Sequence, residues 1–213
     1  MSLLPIESEI LEQTSRSLLL ILTGPTAAGK DSLIGRLAQH DQSIVKITTT
    51  TSRTMRPGES EGHPYHFISR SEFERLIAEE AFFEWVEFRG ELYGTQEKTL
   101  VDALSQGVTV IWKIETKGVK NIQEKIRQMV PRVLFVYLTG ESIDEMKKRV
   151  MNIEGEEGAK IRWNESLVIW ELKQYTDCDY LVVNRHDQLD QAVADIESLL
   201  RAKRLQILHK LTP

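Results

Sequence analysis

The clearest candidate for chemistry is the stretch LTGPTAAGKDSLIGRL at residues 22–37. Its Gly24, Gly29 and Lys30 have the spacing of a phosphate-binding loop, in which glycines let successive backbone N–H groups face an anion and the lysine adds a full positive charge. A buried strand is predicted before the loop and a helix after it, and a helix N-terminus also attracts anions. The pattern predicts a phosphate site formed by Gly24, Pro25, Thr26, Ala27, Ala28, Gly29, Lys30, Asp31 and Ser32.

Asp31 is the unusual residue of this loop. The common motif has Ser or Thr after the lysine, with a hydroxyl that binds Mg²⁺, whereas here Ser32 comes one position late. A carboxylate repels phosphates unless a cation lies between them, and Mg²⁺ accepts carboxylate ligands while keeping several waters. An acid in the first turn of a helix is also favourable by itself. Asp31 is therefore either a contact of the metal ion or an outward-facing helix charge.

The composition favours a packed, soluble protein. Of the 213 residues, 41% are hydrophobic and 28% are charged. The net charge of -5 argues against a broad nucleic-acid surface, so no nucleic-acid partner is expected. The longest apolar run, SLLLILTG, is far too short to span a bilayer, so no membrane partner is expected. Cys178 is the only cysteine, which fits a reduced, cytoplasmic setting. The oligomeric state stays open.

Apolar strands and helices alternate along most of the chain. Apolar runs predict strands at residues 18–22, 44–47, 108–114, 132–138 and 180–183. Between and after them, helices are predicted at residues 30–39, 96–106, 116–128 and 187–205. This alternation indicates a parallel sheet covered on both faces, which is the α/β class.

Two regions interrupt the alternation. Residues 49–67 are rich in Thr, Arg, Gly and Pro and predict irregular structure with short strands. The SRSE sequence at 69–72 is a capping box that predicts a helix to about Glu80, and AFFEWVEF predicts a strand with its turn at RGEL, residues 89–92.

The second interruption begins at another capping box, SIDE, at residues 142–145. It predicts a helix that ends near Val150. The Gly/Glu-rich segment 151–160 then predicts a mobile connection, and a long helix is predicted over 160–175.

The stretch TTTTSRTMRPGESEGHPYHFISRSEFERLIAEEAFFEWVEFRGELYGT resembles the GMP-binding segment of guanylate kinases. The resemblance covers about residues 18–200, is strongest in 49–95 and weakens after 110. It implies a P-loop NTPase three-layer α/β core with a parallel sheet, a small mixed-β GMP-binding subdomain and a helical lid. The reaction it implies is transfer of the γ-phosphoryl group of ATP to GMP, with Mg²⁺ as the cofactor of ATP.

The resemblance also implies how the chain is divided. Residues 1–16 would be an N-terminal extension, and residues 17–213 a single guanylate-kinase-like domain. The GMP-binding subdomain would cover 49–95 and the lid 141–175, and the core would consist of residues 17–48, 96–140 and 176–205.

Eight positions match the family's GMP site. Arg53, Arg56, Tyr65 and Tyr93 match residues that hold the GMP phosphate, and a guanidinium can bind phosphate through two parallel hydrogen bonds. Glu84 matches the acid that accepts from the guanine N1–H and exocyclic amine, two neighbouring donors that adenine does not offer. The remaining matches are Thr49, Glu59 and Thr95.

Other positions depart from the family pattern. Lys113 replaces the first of two acids after a core strand, and Glu115 matches the second. Of three lid arginines that neutralise the transferring phosphoryl group, Arg149 matches the first and the second falls on Ile153. The third falls on Asn164 or, if the helix register slips, on Arg162. The predicted catalytic residues are thus Lys30, Arg149 and Arg162.

These departures leave two alternatives to a kinase that binds ATP and GMP. Asp31 and Lys113 favour a different phosphorylated acceptor, for example ribose 1,5-bisphosphate, because a kinase of that compound resembles this chain in its G-K-D order. The missing lid arginines favour a kinase-derived module that binds nucleotides or peptides with little activity.

Overall fold

The computed structural model describes residues 17–56 and 58–206, so the predicted extension at 1–16 lies outside the described residues. The strands are Leu18–Thr23 (β1), Val45–Lys46 (β2), Thr49–Thr51 (β3), Tyr65–Phe67 (β4), Phe82–Phe88 (β5), Glu91–Gln96 (β6), Thr109–Lys113 (β7), Val133–Gly140 (β8) and Tyr180–Asn184 (β9). The helices are Lys30–His40 (α1), Arg70–Ala78 (α2), Glu97–Leu104 (α3), Val119–Met129 (α4), Ile143–Arg162 (α5), Glu165–Leu172 (α6) and Leu189–Arg204 (α7).

A five-stranded parallel sheet in the order β2-β7-β1-β8-β9 forms the centre of the fold. The β1 sequence LLLILT is buried along its whole length, as expected for a central strand covered on both faces. One face packs against α1 and α7 and the other against α3 and α4, in two separate hydrophobic clusters. This arrangement brings the carboxyl ends of β1, β7 and β8 to one edge of the sheet.

A second, four-stranded sheet in the order β4-β3-β6-β5 is mixed. Strands β3 and β4 are parallel, whereas β6 is antiparallel to both β3 and β5. Helix α2 covers this sheet through Phe73, whose ring stacks on Phe82 at 4.3 Å. The predicted α/β fold with a parallel sheet and a small mixed sheet is confirmed.

The serine of each predicted capping box caps its helix. The hydroxyl of Ser69 accepts from the backbone N–H of Glu72, and that of Ser142 accepts from Glu145, each at 3.1 Å. These bonds satisfy N–H groups that have no partner inside the helix, and so they set the first residues of α2 and α5.

Three boundary predictions were wrong. The turn after β5 consists of Arg89 and Gly90, both with positive φ. The prediction extended this turn to residue 92 and began a helix at residue 96, whereas residues 91–96 form strand β6, which pairs with β5. The segment 151–160, predicted as a connection between two helices, is itself helical, with a break at Gly155. The helix predicted over 160–175 is interrupted at Asn164, whose side chain caps α6.

No helix among the described residues is both long enough and apolar enough to cross a bilayer.

Candidate active site

The predicted phosphate loop joins the carboxyl end of β1 to the first turn of α1. Gly24 has a φ of 140°, and a Cβ there would lie 1.9 Å from the carbonyl oxygen of Leu138 on β8. Gly29 has a φ of 93°, and its Cβ would lie 2.3 Å from the side-chain nitrogen of Asn184 on β9. Both glycines are therefore required by backbone conformation and by close packing against the neighbouring strands.

Lys30 lies against this loop. Its Nζ donates to the carbonyl oxygens of Gly24 at 2.6 Å and Pro25 at 2.9 Å. Burial lowers the pKa of Lys30, and the charges of Glu115 and Glu171 act in the opposite direction. The ammonium group and the N-terminus of α1 thus place positive charge on the same loop, which favours a bound phosphate.

Asp31 and Lys113, which both depart from the family pattern, contact each other. Lys113 Nζ donates to the two carboxylate oxygens of Asp31 at 2.8 and 3.1 Å, and Lys46 Nζ lies 3.8 Å from the carboxylate. Burial disfavours ionisation of Asp31, but Lys113 and Lys46 more than offset this effect, so the pKa of Asp31 lies below its ordinary value. The Asp31 side chain is 65% exposed and that of Lys113 is 11% exposed, so water screens the carboxylate while the ammonium group is largely buried.

Lys113 also faces the small sheet. Its Nζ lies 5.2 Å from the ring centroid of Tyr65, a cation–π distance. Burial opposes its charge, but Tyr65 and Asp31 outweigh burial, so the pKa of Lys113 is raised. Lys113 therefore connects the helix after the phosphate loop with the region predicted to bind the acceptor.

A small cleft lies where the small sheet meets the carboxyl end of β7. It is lined by Thr49, Tyr65, Glu84, Val86, Tyr93, Gly94, Lys113, Ile114 and Glu115. Four of the eight positions matched to a GMP site are in this lining, and a fifth, Thr95, donates its hydroxyl proton to Glu84 Oε1 at 2.9 Å. The structure thus brings the predicted base-binding residues together.

The pKa of Glu84 is unusually high for a carboxyl group. Burial raises its pKa to about 7, and the charge of Glu115 acts in the same direction. Hydrogen bonds from the side chain and backbone of Thr95 oppose the rise. Register explains the contact, because Glu84 and Thr95 are directly paired on β5 and β6.

The three remaining positions, Arg53, Arg56 and Glu59, lie in one turn that an ion pair stabilises. Arg53 Nη2 donates to Glu59 Oε1 at 2.8 Å, and the backbone N–H of Arg56 donates to Glu59 Oε2 at 2.8 Å. The Arg53 guanidinium also lies 5.6 Å from the ring centroid of Tyr65. Glu59 therefore holds the turn that carries both arginines, with Arg53 next to a cleft residue.

Arg149 reaches the phosphate loop from α5. Its Nη2 donates to the carbonyl oxygen of Asn184 at 2.9 Å, and its Nε lies 3.6 Å from Glu145. Its Nη1 is buried without a hydrogen-bond partner in the described part of the chain and would lie 3.9 Å from a Cβ at Gly29. A buried guanidinium N–H beside the loop is a suitable donor to a phosphoryl oxygen.

The other lid positions lack this geometry. Ile153 is 73% exposed. The side chain of Asn164 accepts from the backbone N–H of Leu167 at 3.0 Å as the cap of α6. Arg162 forms an ion pair with Glu154, so its guanidinium already has an acidic partner.

Two residues near the loop were missed from sequence. Glu171 is buried and accepts from the backbone N–H of Thr26 at 3.3 Å; burial raises its pKa to about 7, against the charge of Lys30. Its position as a single acid in the apolar run LVIWEL was the available signal. Arg89, in the turn after β5, donates to the carbonyl oxygen of Arg162 at 2.6 Å and to Thr26 at 3.4 Å. No local sequence pattern indicated a role for Arg89.

The comparisons with known proteins agree with this geometry. The family model described as guanylate kinase matches residues 16–203. The guanylate kinase of Shewanella oneidensis is 33% identical over 193 residues, 90% of each chain. That of Mannheimia succiniciproducens is 36% identical over 201 residues, 92% of this chain and 93% of its own. The crystal structure of guanylate kinase from Anaplasma phagocytophilum has a TM-score of 0.69 at 26% identity and covers 90% of this chain and 88% of its own.

The phosphate loop, the parallel core sheet and these relatives define a P-loop nucleoside-monophosphate kinase, a class of phosphotransferase. Within that class, the chain belongs to the guanylate kinase family.

Proposed function

We propose that the protein transfers the γ-phosphoryl group of ATP to GMP and forms ADP and GDP. The observation that carries this proposal is the Glu84–Thr95 pair in a cleft that Lys113 connects to the phosphate-loop helix. Carboxylate oxygens at this place suit the two neighbouring N–H donors of guanine, and the loop suits a nucleotide phosphate.

At the acceptor end, Glu84 accepts from the guanine base, and Thr49 and Thr95 lie beside it. The GMP phosphate is held by four side chains from the same sheet and its turn, namely Arg53, Arg56, Tyr65 and Tyr93. Glu59 orients the guanidinium of Arg53 and holds the backbone of Arg56. In this proposal the base lies against Glu84 and the phosphate points toward Arg53 and Tyr65.

At the donor end, the backbone of residues 24–32 and Lys30 bind the ATP phosphates. Arg149 then donates to the phosphoryl group as it moves, because its Nη1 lies beside the loop. Arg162 can take part only after it leaves Glu154. An acceptor phosphate oxygen is already anionic, so charge neutralisation, rather than a general base, supplies most of the catalysis.

Mg²⁺ accompanies ATP in this class of reaction and supplies further charge neutralisation. Asp31 is the oxygen donor at the position where the common motif has its metal ligand, and a carboxylate suits a hard cation. Both its oxygens accept from Lys113, so an ion there competes with that ammonium group. Within the described residues, no group of three or more His, Cys, Asp or Glu side chains could hold a metal ion.

Release of ADP tests the proposal, measured with ATP and Mg²⁺ against GMP, dGMP, AMP, CMP, UMP and ribose 1,5-bisphosphate. We expect turnover with GMP or dGMP, and its loss in Lys30→Ala but not in Lys98→Ala, a matched change on the exposed side of α3. Turnover with ribose 1,5-bisphosphate alone would assign a different acceptor. If no compound of the panel leads to ADP release while calorimetry still shows GMP binding, the protein would be a binding module.

A further inference from the structure

The ammonium group of Lys113 lies between the two regions proposed to bind phosphates. On the donor side, its Nζ lies 2.8 and 3.1 Å from the carboxylate oxygens of Asp31, the residue that follows Lys30 at the start of α1. On the acceptor side, Nζ lies 5.2 Å from the ring centroid of Tyr65, and Lys113 lines the cleft. The Lys113 side chain is 11% exposed, so a largely buried cation faces both regions.

The strand register explains this position. Lys113 is the last residue of β7 and pairs with Leu22 on β1, and the phosphate loop begins directly after β1 at Gly24. In open α/β sheets, ligands bind outside the carboxyl ends of the strands. The sheet therefore fixes the Lys113 backbone at the edge where the donor phosphates are proposed to bind, and no lid movement is needed to bring it there.

Hydrogen bonds to Asp31 use only part of the binding capacity of Lys113. An ammonium group has three N–H donors, and the two oxygens of Asp31 engage at most two of them. Within residues 17–56 and 58–206, the Lys113 side chain has no other hydrogen-bond acceptor. Because the Asp31 side chain is 65% exposed, water already competes for its oxygens, so an incoming phosphate oxygen can replace one of them.

Lys113 keeps its positive charge although it is buried. Burial opposes the charge, but Tyr65 and Asp31, with a contribution from Glu115, outweigh burial and raise the pKa of Lys113. The charge also reaches the donor loop: burial is the main reason that the pKa of Lys30 is lowered, and the Lys113 charge adds to that effect. Lys113 is thus a fixed cation whose field acts on both ends of the site.

The predicted lid positions place one cation at the phosphate loop. Ile153 is apolar and 73% exposed, and Arg162 forms an ion pair with Glu154. Arg149 approaches the loop from α5. Lys113 approaches from β7, on the side of the acceptor cleft. A phosphoryl group between the two sites therefore has one cation available from each side.

We propose that Lys113 is a further catalytic residue, whose ammonium group contacts the acceptor phosphate and the transferred phosphoryl group at the same time. An acceptor phosphate oxygen bonds to the γ-phosphorus of ATP, while the bond from that phosphorus to the β–γ bridging oxygen breaks and its electron pair leaves with ADP. No proton moves, and Lys113 stays an ammonium group throughout. The two phosphates are anions that repel as they approach, so a cation between them lowers the barrier. This inference rests on the proposed function in that it takes the acceptor phosphate to lie beside Tyr65.

Lys113→Met removes the charge and keeps a long side chain. We expect kcat with GMP to fall about 10²-fold, the scale of one preorganised donor to a developing charge. Lys113→Arg, which keeps the charge, should recover part of the rate. The control is Lys46→Met, because Lys46 Nζ also lies 3.8 Å from the Asp31 carboxylate but Lys46 is outside the cleft lining. The kcat of this control should change less than about 3-fold. Equal losses would limit Lys113 to neutralising Asp31 and would overturn the proposal.

A binding measurement separates contact with both phosphates from a loss of structure. Calorimetry gives the Kd of GMP with and without a non-hydrolysable imido analogue of ATP in the donor site. In the wild type, the analogue should change this Kd by no more than about 2-fold. In Lys113→Met, the uncompensated repulsion should weaken GMP binding about 10-fold when the analogue is bound. The same ratio of Kd values in both proteins would overturn the proposal.

A probe without nucleotide keeps the result distinct from the proposed function. A wild type that neither binds nor phosphorylates GMP would end the proposed function. Inorganic tripolyphosphate, titrated without Mg²⁺ so that no metal ion competes for Asp31, still reports contact of Lys113 with the donor phosphates. Its Kd should rise about 3- to 10-fold in Lys113→Met and less in Lys46→Met. Equal affinity of the wild type and Lys113→Met for tripolyphosphate would overturn the proposal, whatever the result with GMP.

Discussion

The acceptor segment, residues 49–95, and the predicted lid, residues 141–175, hold their polar side chains in different ways. In the acceptor segment, side chains project from paired strands, with Glu84 opposite Thr95 on the neighbouring strand. In the lid, the arginine positions lie on two helices that are broken at Gly155 and again near Asn164.

The difference shows how secondary structure limits what a pattern can predict. A strand register is fixed by backbone hydrogen bonds, and a shift by one residue would turn every side chain to the opposite face. The direction of a helical side chain depends on where each helix begins and ends. As a result, Glu84 and Thr95 meet at the cleft from paired strands, whereas in the lid Arg149 is the predicted position that contacts the loop region.

Among changes that compare the lid with the acceptor segment, the largest effect should come from Arg149→Ala. We expect kcat to fall about 10³-fold, because an arginine on the transferring phosphoryl group has effects of this size. The KM for GMP should change little, since Arg149 lies beside the donor loop. Steady-state kinetics at saturating ATP measures both values.

Arg162→Ala is the matched comparison, and its kcat should fall less than 10-fold because Glu154 already holds that guanidinium. Equal losses in the two variants would contradict the assignment of Arg149 as the main phosphoryl contact.

Glu84→Gln should lower kcat/KM for GMP about 10²-fold, since an amide N–H would face the guanine donors and leave buried groups unpaired. Glu87→Gln, on an exposed position of the same strand, serves as the control. An equal loss in the control would point to damage of the sheet rather than of the base site.

The same carboxylate predicts a pH dependence. Because the pKa of Glu84 is about 7 and guanine favours its ionised form, GMP affinity should rise as pH increases through 7 and level off above it. Calorimetry of GMP binding between pH 6 and 8.5 in about half-unit steps would show the midpoint. A flat profile would mean that Glu84 does not contact the base.

The third effect is a gain. Ile153→Arg restores an arginine at a family position that is 73% exposed, so we expect kcat to rise up to about 10-fold with no loss of stability. Asn164→Arg should instead lower the melting temperature, because loss of a helix N-cap costs about 1 kcal/mol. Initial rates and thermal unfolding of both variants check this contrast.

The smallest effect concerns Asp31. If it contacts Mg²⁺, Lys113→Met should lower the Mg²⁺ concentration for half-maximal activity about 3-fold by removing a competing cation, and Asp31→Asn should raise it. Titration of Mg²⁺ at fixed ATP and GMP measures the requirement. No change in either variant would leave Asp31 as a helix charge paired with Lys113.

Much of the fold could be predicted from sequence. The buried strands and both serine caps depend on local patterns that few alternatives satisfy, such as LLLILT in β1 and the serines before α2 and α5. The misses occurred where tertiary pairing outweighed local signals. Strand β6 follows a turn of two residues, where the sequence predicted a turn of four. The Gly/Glu-rich segment is helical on both sides of Gly155.

Site contacts between distant parts of the chain could not be predicted in the same way. Asp31 and Lys113 are 82 positions apart, and each looked like a separate departure until the structure showed them in contact. Trp112 lies in the apolar run 108–114 that predicted a strand, and the partner of its N–H depends on how β7 packs against the small sheet. Residue types predict which chemistry is available, but the fold decides which groups meet.

The most direct test of the central claim is product analysis of ATP, Mg²⁺ and GMP incubated with the wild-type protein. We expect GDP and ADP in equal amounts, and neither product with Lys30→Ala. ADP and free phosphate with GMP recovered unchanged, or GMP bound without any reaction, would contradict a guanylate kinase activity for this chain.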